Sequence, residues 1–315
     1  MTADVDPPQG APDARRDPVR IADRIFRGGF KSVRVSVRRS LLDLHARDTP
    51  SAKGMQARRI TPQAEEAAAR LERLDSLLVA LLSRGLVVVL DAHDDAPRFG
   101  DAGFKPGEGT PRAAGPEPWV SFWLQQTRRW AGRSDRLLFE LSFEAHLSPT
   151  LKNDLLAKTV QAIRARDPAR VLVIGWDDPI GLSQMKLPDD EHLIVGVTHV
   201  EPFRFTRQGL PGDEGRESLR GGTCCSPQEI QLMALPLELA KTWSITYRHP
   251  VWVRGVVSHQ RIPVAWRAHH ARLTRQAAEE RGLSWSYGDF RSEFGLVDPT
   301  TGSWQVPMLR ALLGT

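Results

Sequence analysis

A chain of 315 residues, 41% hydrophobic and 26% charged, has the length for one large α/β domain or two smaller ones and the balance of an ordinary globular protein. Its net charge of +5 is the difference between 43 basic and 38 acidic groups, with too little basic clustering for a nucleic-acid face. No apolar run of about 18 residues could span a membrane, and no apolar signal core opens the chain. This predicts a cytoplasmic protein, or a secreted or periplasmic one if an upstream start adds a leader.

Residues 1–17 are rich in Pro, Asp, Ala and Arg and read as a disordered lead-in. A short helix is predicted over 18–28, with Val19, Ile21, Ile25 and Phe26 inward. The alternating valines after Gly28-Gly29 predict a strand. Thr61-Pro62 opens a helix that runs to Arg84 on a stripe of Leu71, Leu74, Leu77, Leu78, Leu81 and Leu82. Leu86 to Leu90 is a strand buried on both faces, ending in Asp91-Ala-His93-Asp94-Asp95. A Gly/Pro-rich loop follows, then a helix carrying Trp119, Trp123 and Trp130, which read as core fillers, as does Trp243. The apolar run from Leu137 to Leu141 is a strand whose far end carries Glu144 and His146.

Helix 150–166, strands 171–176 and 193–198, a polar loop over 200–225, and helix 227–247 come next. A strand from Val251, helix 263–281, strand 283–287 and a helix near 304–313 complete the chain. Strands that are apolar throughout, alternating with helices, predict a parallel sheet and favour a TIM-type (β/α)8 barrel. The reading yields seven strands, so the first is missing or atypical. No glycine-rich phosphate motif follows any strand, and no cofactor is expected. Adjacent Cys224 and Cys225 make neither a disulfide framework nor a metal cluster. His93, Asp94, His199 and Glu201 are ligand-type residues, but their spacing matches no metal motif, so no metal is expected.

The stretch Phe139-Glu-Leu-Ser-Phe-Glu-Ala-His146 resembles the fourth strand of glycoside hydrolase family 5, the cellulase family of clan A barrels. The resemblance runs from about Pro18 to Leu313. It includes Gly29-Phe-Lys-Ser-Val-Arg34-Val35, the Asp-x-His ending at His93, and Glu201-Pro-Phe-Arg-Phe-Thr-Arg-Gln-Gly209. It closes on Phe294-Gly-Leu-Val-Asp298 followed by Trp304. It implies that Glu144 stands at the acid/base position and that Arg34, His93, Phe143, His199, Glu201 and Asp289 line the sugar site. The family's nucleophile lies in a Pro-x-x-x-Gly-Glu-Phe-Gly pattern, where this chain has Pro250-Val-Trp-Val-Arg254-Gly255-Val256-Val257. The nucleophile position is therefore Gly255. Phe143 replaces the Asn before the acid/base, the Tyr beyond His199 is absent, and Gly288 stands in place of a sugar-stacking Trp.

A retaining glycosidase needs two carboxylates about 5–5.5 Å apart, and glycine supplies none. The resemblance thus implies a catalytically impaired protein that binds a β-glucan or an exopolysaccharide, with a protein partner over an open barrel edge. The alternative is an active hydrolase using Glu144 and a non-standard second carboxylate from Asp94, Asp95, Asp177, Glu201 or Asp289. A third reading, a truncated or decaying product, follows from the missing first strand.

Overall fold

The computed structural model describes residues 2–4, 17–38, 62–93, 116–142, 147–176, 179–209 and 223–315. The first strand, β1 (Thr2–Asp4), is three residues long. Thr-Ala-Asp has no apolar run, which is why composition predicts no strand there. The chain then forms two compact units that meet in sequence at Val171 and Leu172.

The first unit alternates α1 (Pro18–Arg27), β2 (Ser32–Arg38), α2 (Pro62–Ser83), β3 (Val87–His93), α3 (Pro116–Arg129), β4 (Leu137–Ser142) and α4 (Pro149–Arg164). Asp17 caps α1: its Oδ1 accepts the Val19 N–H at 2.9 Å, and Pro18 takes the first turn, where no N–H is needed. Ala22 and Ile25 are buried, while Val19 and Phe26 are 49% and 50% exposed, which corrects the expected inward face. Each residue turns a helix by about 100°, so Phe26 falls one step off the stripe that Ile25 occupies. Arg84 ties the end of α2 to α1 through Asp23 at 2.7 Å. On α2 the leucines at 71, 74, 77, 78 and 81 are buried as the stripe predicts. Strands β2, β3 and β4 are parallel neighbours, with Val35 opposite Leu90 and Leu90 opposite Phe139. Trp123 and Trp130 are fully buried, and the Trp123 ring packs 5.9 Å from Phe139.

The second unit holds β5 (Leu172–Trp176), a 3₁₀ turn (Ile180–Gln184), β6 (Leu193–Thr198), α5 (Phe203–Thr206) and α6 (Pro227–Tyr247). It continues with β7 (Val251–Val256), α7 (Val264–Glu280), β8 (Ser284–Tyr287) and α8 (Val306–Leu313). Its strands are parallel neighbours in chain order. α5 lies in the stretch expected to be loop; four residues are too few to show a helical period. Helix α6 starts on a reciprocal cap, with Ser226 N–H donating to Glu229 Oε2 at 2.7 Å and Glu229 N–H to Ser226 Oγ at 3.3 Å. Cys224 and Cys225, just before that cap, are joined to each other. Cys224 packs with Phe205 and Ile262.

Buried Arg267 organises the loops after β7 and β8. It donates to Ser258 O at 3.1 Å, Tyr287 OH at 3.1 Å, Gly295 O at 2.9 Å and Gln305 Oε1 at 2.7 Å. One guanidinium thereby satisfies main-chain carbonyls that a loop cannot pair for itself.

Candidate functional site

At the C-terminal ends of β2–β4 the polar residues lock one another. The register sets Ser36 opposite Asp91 and Asp91 opposite Glu140, a row across three strands. Asp91 and Glu140 are both 0% exposed. The Arg34 guanidinium grips Glu140 through Nε at 2.5 Å and Nη2 at 3.1 Å, and meets Asp91 at 2.8 Å. Ser36 donates to Asp91 Oδ2 at 3.2 Å, and Ser142 to Asp91 Oδ1 at 2.8 Å. Buried carboxylates persist only when paired and hydrogen-bonded, and every contact in this cluster serves that end. Arg34, assigned by the resemblance to the sugar site and by its charge to a structural carboxylate partner, contacts these two carboxylates and donates to Ser36 Oγ at 3.1 Å. Glu140 was missed by the sequence reading, although a lone carboxylate inside the run Leu137 to Leu141 was the available signal.

His93 closes β3. Its side chain, and residues 143–146 with Phe143 and Glu144, lie outside the described residues, as do Asp94, Asp95 and Asp177.

In the second unit His199 follows β6 directly and is 2% exposed. Its Nδ1 accepts the Glu201 N–H at 3.3 Å, so Nε2 carries the proton and donates to Met233 O at 2.9 Å. Both ring nitrogens are thus engaged, and burial lowers the His199 pKa below its ordinary value. The Glu201 carboxylate accepts the Phe203 N–H at 3.0 Å, and its carbonyl accepts from His270 Nε2 at 2.9 Å. Burial drives His270 down to about 4. Asp289 caps its own turn, accepting the Arg291 N–H at 3.2 Å. The two expected carboxylates of this unit that lie among the described residues, Glu201 and Asp289, therefore hold local turns.

Gly255 sits near the end of β7 with φ +73°, a conformation that disfavours any side chain. Among the described residues, a Cβ there would stand 3.2 Å from Thr198 Cγ2 and meet no other atom within 4 Å outside its chain neighbours. The register of β7 on β8 shifts between Val253 and Val256, the irregularity that accommodates this backbone. Gly288 donates its N–H to Val256 O at 3.2 Å. Among the described residues no group of three or more His, Cys, Asp or Glu could hold a metal ion.

Residues 20–206 match the model of cellulase, glycosyl hydrolase family 5. The chain belongs to glycosyl hydrolase family 5. Endoglucanase H of Acetivibrio thermocellus is 23% identical over 253 residues, which cover 77% of this chain and 26% of that protein. The chain thus spans about a quarter of the length of that relative. Cel5A of Thermotoga maritima, solved with cellobiose, is 25% identical with a TM-score of 0.74, covering 93% of this chain and 89% of Cel5A. The cellulose synthase subunit Z, CcsZ, of Clostridioides difficile has a TM-score of 0.77 at 22% identity and covers 99% of both chains. The fold is the TIM-type (β/α)8 barrel of family 5, with an atypical first strand. The family match includes Arg34, His93, Glu144, His199 and Glu201 and stops at Thr206, before Gly255, Gly288 and Asp289.

Proposed function

We propose that this family 5 chain is a catalytically impaired cellulase relative that binds a β-glucan or an exopolysaccharide. The observation that carries the reading is Gly255. The family resemblance sets the nucleophile there, glycine has no nucleophile, and φ +73° suits glycine far better than glutamate. The sequence has no carboxylate between His249 and Glu279 that could take over from the same strand or the helix after it. Glu201 and Asp289 are each tied to a main-chain N–H two residues on. Glu144 alone, as an acid without a partner carboxylate, supplies half of either the retaining or the inverting mechanism. The relationship to endoglucanases supports a β-linked glucan as ligand, as does the likeness to Cel5A, which was solved with cellobiose.

The test joins two readouts on one preparation: hydrolysis of an aryl β-cellobioside, and binding of cello-oligosaccharides by calorimetry. The expected result is binding without turnover. Turnover by the parent that Glu144→Gln abolishes would replace this reading with that of an active hydrolase using a non-standard second carboxylate.

A further inference from the structure

Helix α7 carries an aromatic side chain that neither the core nor the strand-end residues use. Of the nine tryptophans, each among the described residues, Trp266 alone is exposed, at 37%. It lies in the first turn of α7, its N–H donating to Pro263 O at 3.0 Å. The His269 ring stands one turn further on, its centroid 6.2 Å from that of the indole and its plane at 80° to it. One turn beyond, Arg272 Nη2 donates to His269 Nδ1 at 2.8 Å. A guanidinium cannot accept, so in the neutral ring the proton sits on Nε2. Burial, and after it the Arg272 charge, holds the His269 pKa below its ordinary value, which keeps the ring neutral near pH 7. Residues three apart on a helix are surface neighbours, so Trp266, His269 and Arg272 form one row about 9 Å long. Val264, 39% exposed, lies about 200° round the helix from Trp266 and belongs to another flank. The row therefore offers one flat apolar ring bordered by N–H donors. A protein interface buries about 800 Å² on each side around several apolar anchors, and a lone indole among polar groups falls short of that. It matches instead a sugar ring, which presents C–H groups on one face and hydroxyls at its rim.

We infer that Trp266, His269 and Arg272 form a second glycan-binding site, on helix α7, where a neutral hexose ring of a β-glucan stacks on the indole and its hydroxyls accept from His269 Nε2 and Arg272. This rests on the glycan-binding reading and adds a site built from residues other than those at the strand ends. Each member has a separate task. The indole face supplies apolar area. His269 supplies a directed N–H, since Arg272 fixes its ring through Nδ1. A guanidinium has five N–H donors, so Arg272 holds His269 with one and offers others to the sugar.

The experiment uses cellohexaose on the full chain. In the parent, oxidation of Trp266 by N-bromosuccinimide, read by peptide mass spectrometry, should slow about tenfold at ten times the dissociation constant, since only the free site reacts. That readout needs no variant. Calorimetry should resolve a site that Trp266→Ala weakens about tenfold or more, the scale of one aromatic face left in water. His269→Ala should weaken the same site about threefold, through one lost hydrogen bond. Trp266 is exposed, so Trp266→Ala should still unfold cooperatively in urea. Binding that Trp266→Ala leaves intact, with Trp266 unprotected in the parent, overturns this inference and leaves the glycan-binding reading standing. No binding by the parent overturns both. Self-association that Trp266→Ala abolishes, without protection by cellohexaose, gives the ring to a second copy of the chain and overturns the inference as well.

Discussion

The strand ends of the two units were built to different rules. In the first, Arg34, Asp91, Glu140, Ser36 and Ser142 sit across β2, β3 and β4 with charges and hydroxyls joined to one another. In the second, the strand ends carry Gly255 and Gly288, a buried arginine, and carboxylates that cap their own turns. A polar cluster of the first kind resists change, because removing one member strands the others in a buried site. Glycine-lined strand ends carry no such penalty. The contrast separates polar residues that hold the fold from positions that chemistry alone would maintain.

The largest test of this contrast is Arg34→Met, which leaves Asp91 and Glu140 buried without their shared cation. It should lower unfolding free energy by about 3–5 kcal/mol in urea titration. A loss below about 1 kcal/mol would show that the cluster does not hold the first unit.

Arg267→Met is the matching test in the second unit, where the lost partners are neutral. It should cost about 2–4 kcal/mol, since several buried acceptors lose their donor. Raised proteolysis within the loop after β8 should accompany it, because Gly295 and Phe294 carbonyls are among those acceptors.

Acid should act on the second unit through its buried histidines. His270 has a folded value of about 4 against an ordinary 6.5, so between these values the folded state binds fewer protons than the unfolded one. Stability is therefore full above 6.5 and falls as pH drops towards 4. The fall reaches at most about 1.4 kcal/mol per pH unit for one such residue, with His199 acting in the same direction. Urea midpoints at about pH 7.5 and about pH 5 measure it, and His270→Gln should flatten the slope.

Gly255→Ala should have the smallest effect, about 1–2 kcal/mol, from a side chain at positive φ and from its approach to Thr198. No loss at all would mean that β7 relaxes there, and that the position tolerates a larger residue than its backbone suggests.

The family was legible because its signatures are local. Phe139-Glu-Leu, the Asp-x-His ending of β3 and the Pro-Phe-x-Phe-Thr run after β6 keep their spacing, whatever the rest of the chain does. Elements with a clear period were also legible. The apolar run gave β6 as Leu193–Thr198, and the helix predicted over 227–247 is α6, Pro227–Tyr247. β1 and α5 were not legible, since three and four residues cannot display a period. The inward face of α1 was misread because a ten-residue helix offers several equally apolar stripes, and only packing selects one.

The sequence by itself determined the (β/α) repeat, the family, and the absence of a carboxylate at position 255. All three are properties of residue order, and burial of apolar runs enforces the first. Only the tertiary structure decided the partners of the polar residues. Arg34 meets carboxylates 57 and 106 positions away, His199 spends both ring nitrogens on main chain, and the Arg254 stem lies over a glycine of the neighbouring strand. Charge and hydrogen-bonding capacity can be read from a residue's type. Which partner satisfies them depends on strand register and on what else is excluded from water, and neither is written locally in the chain.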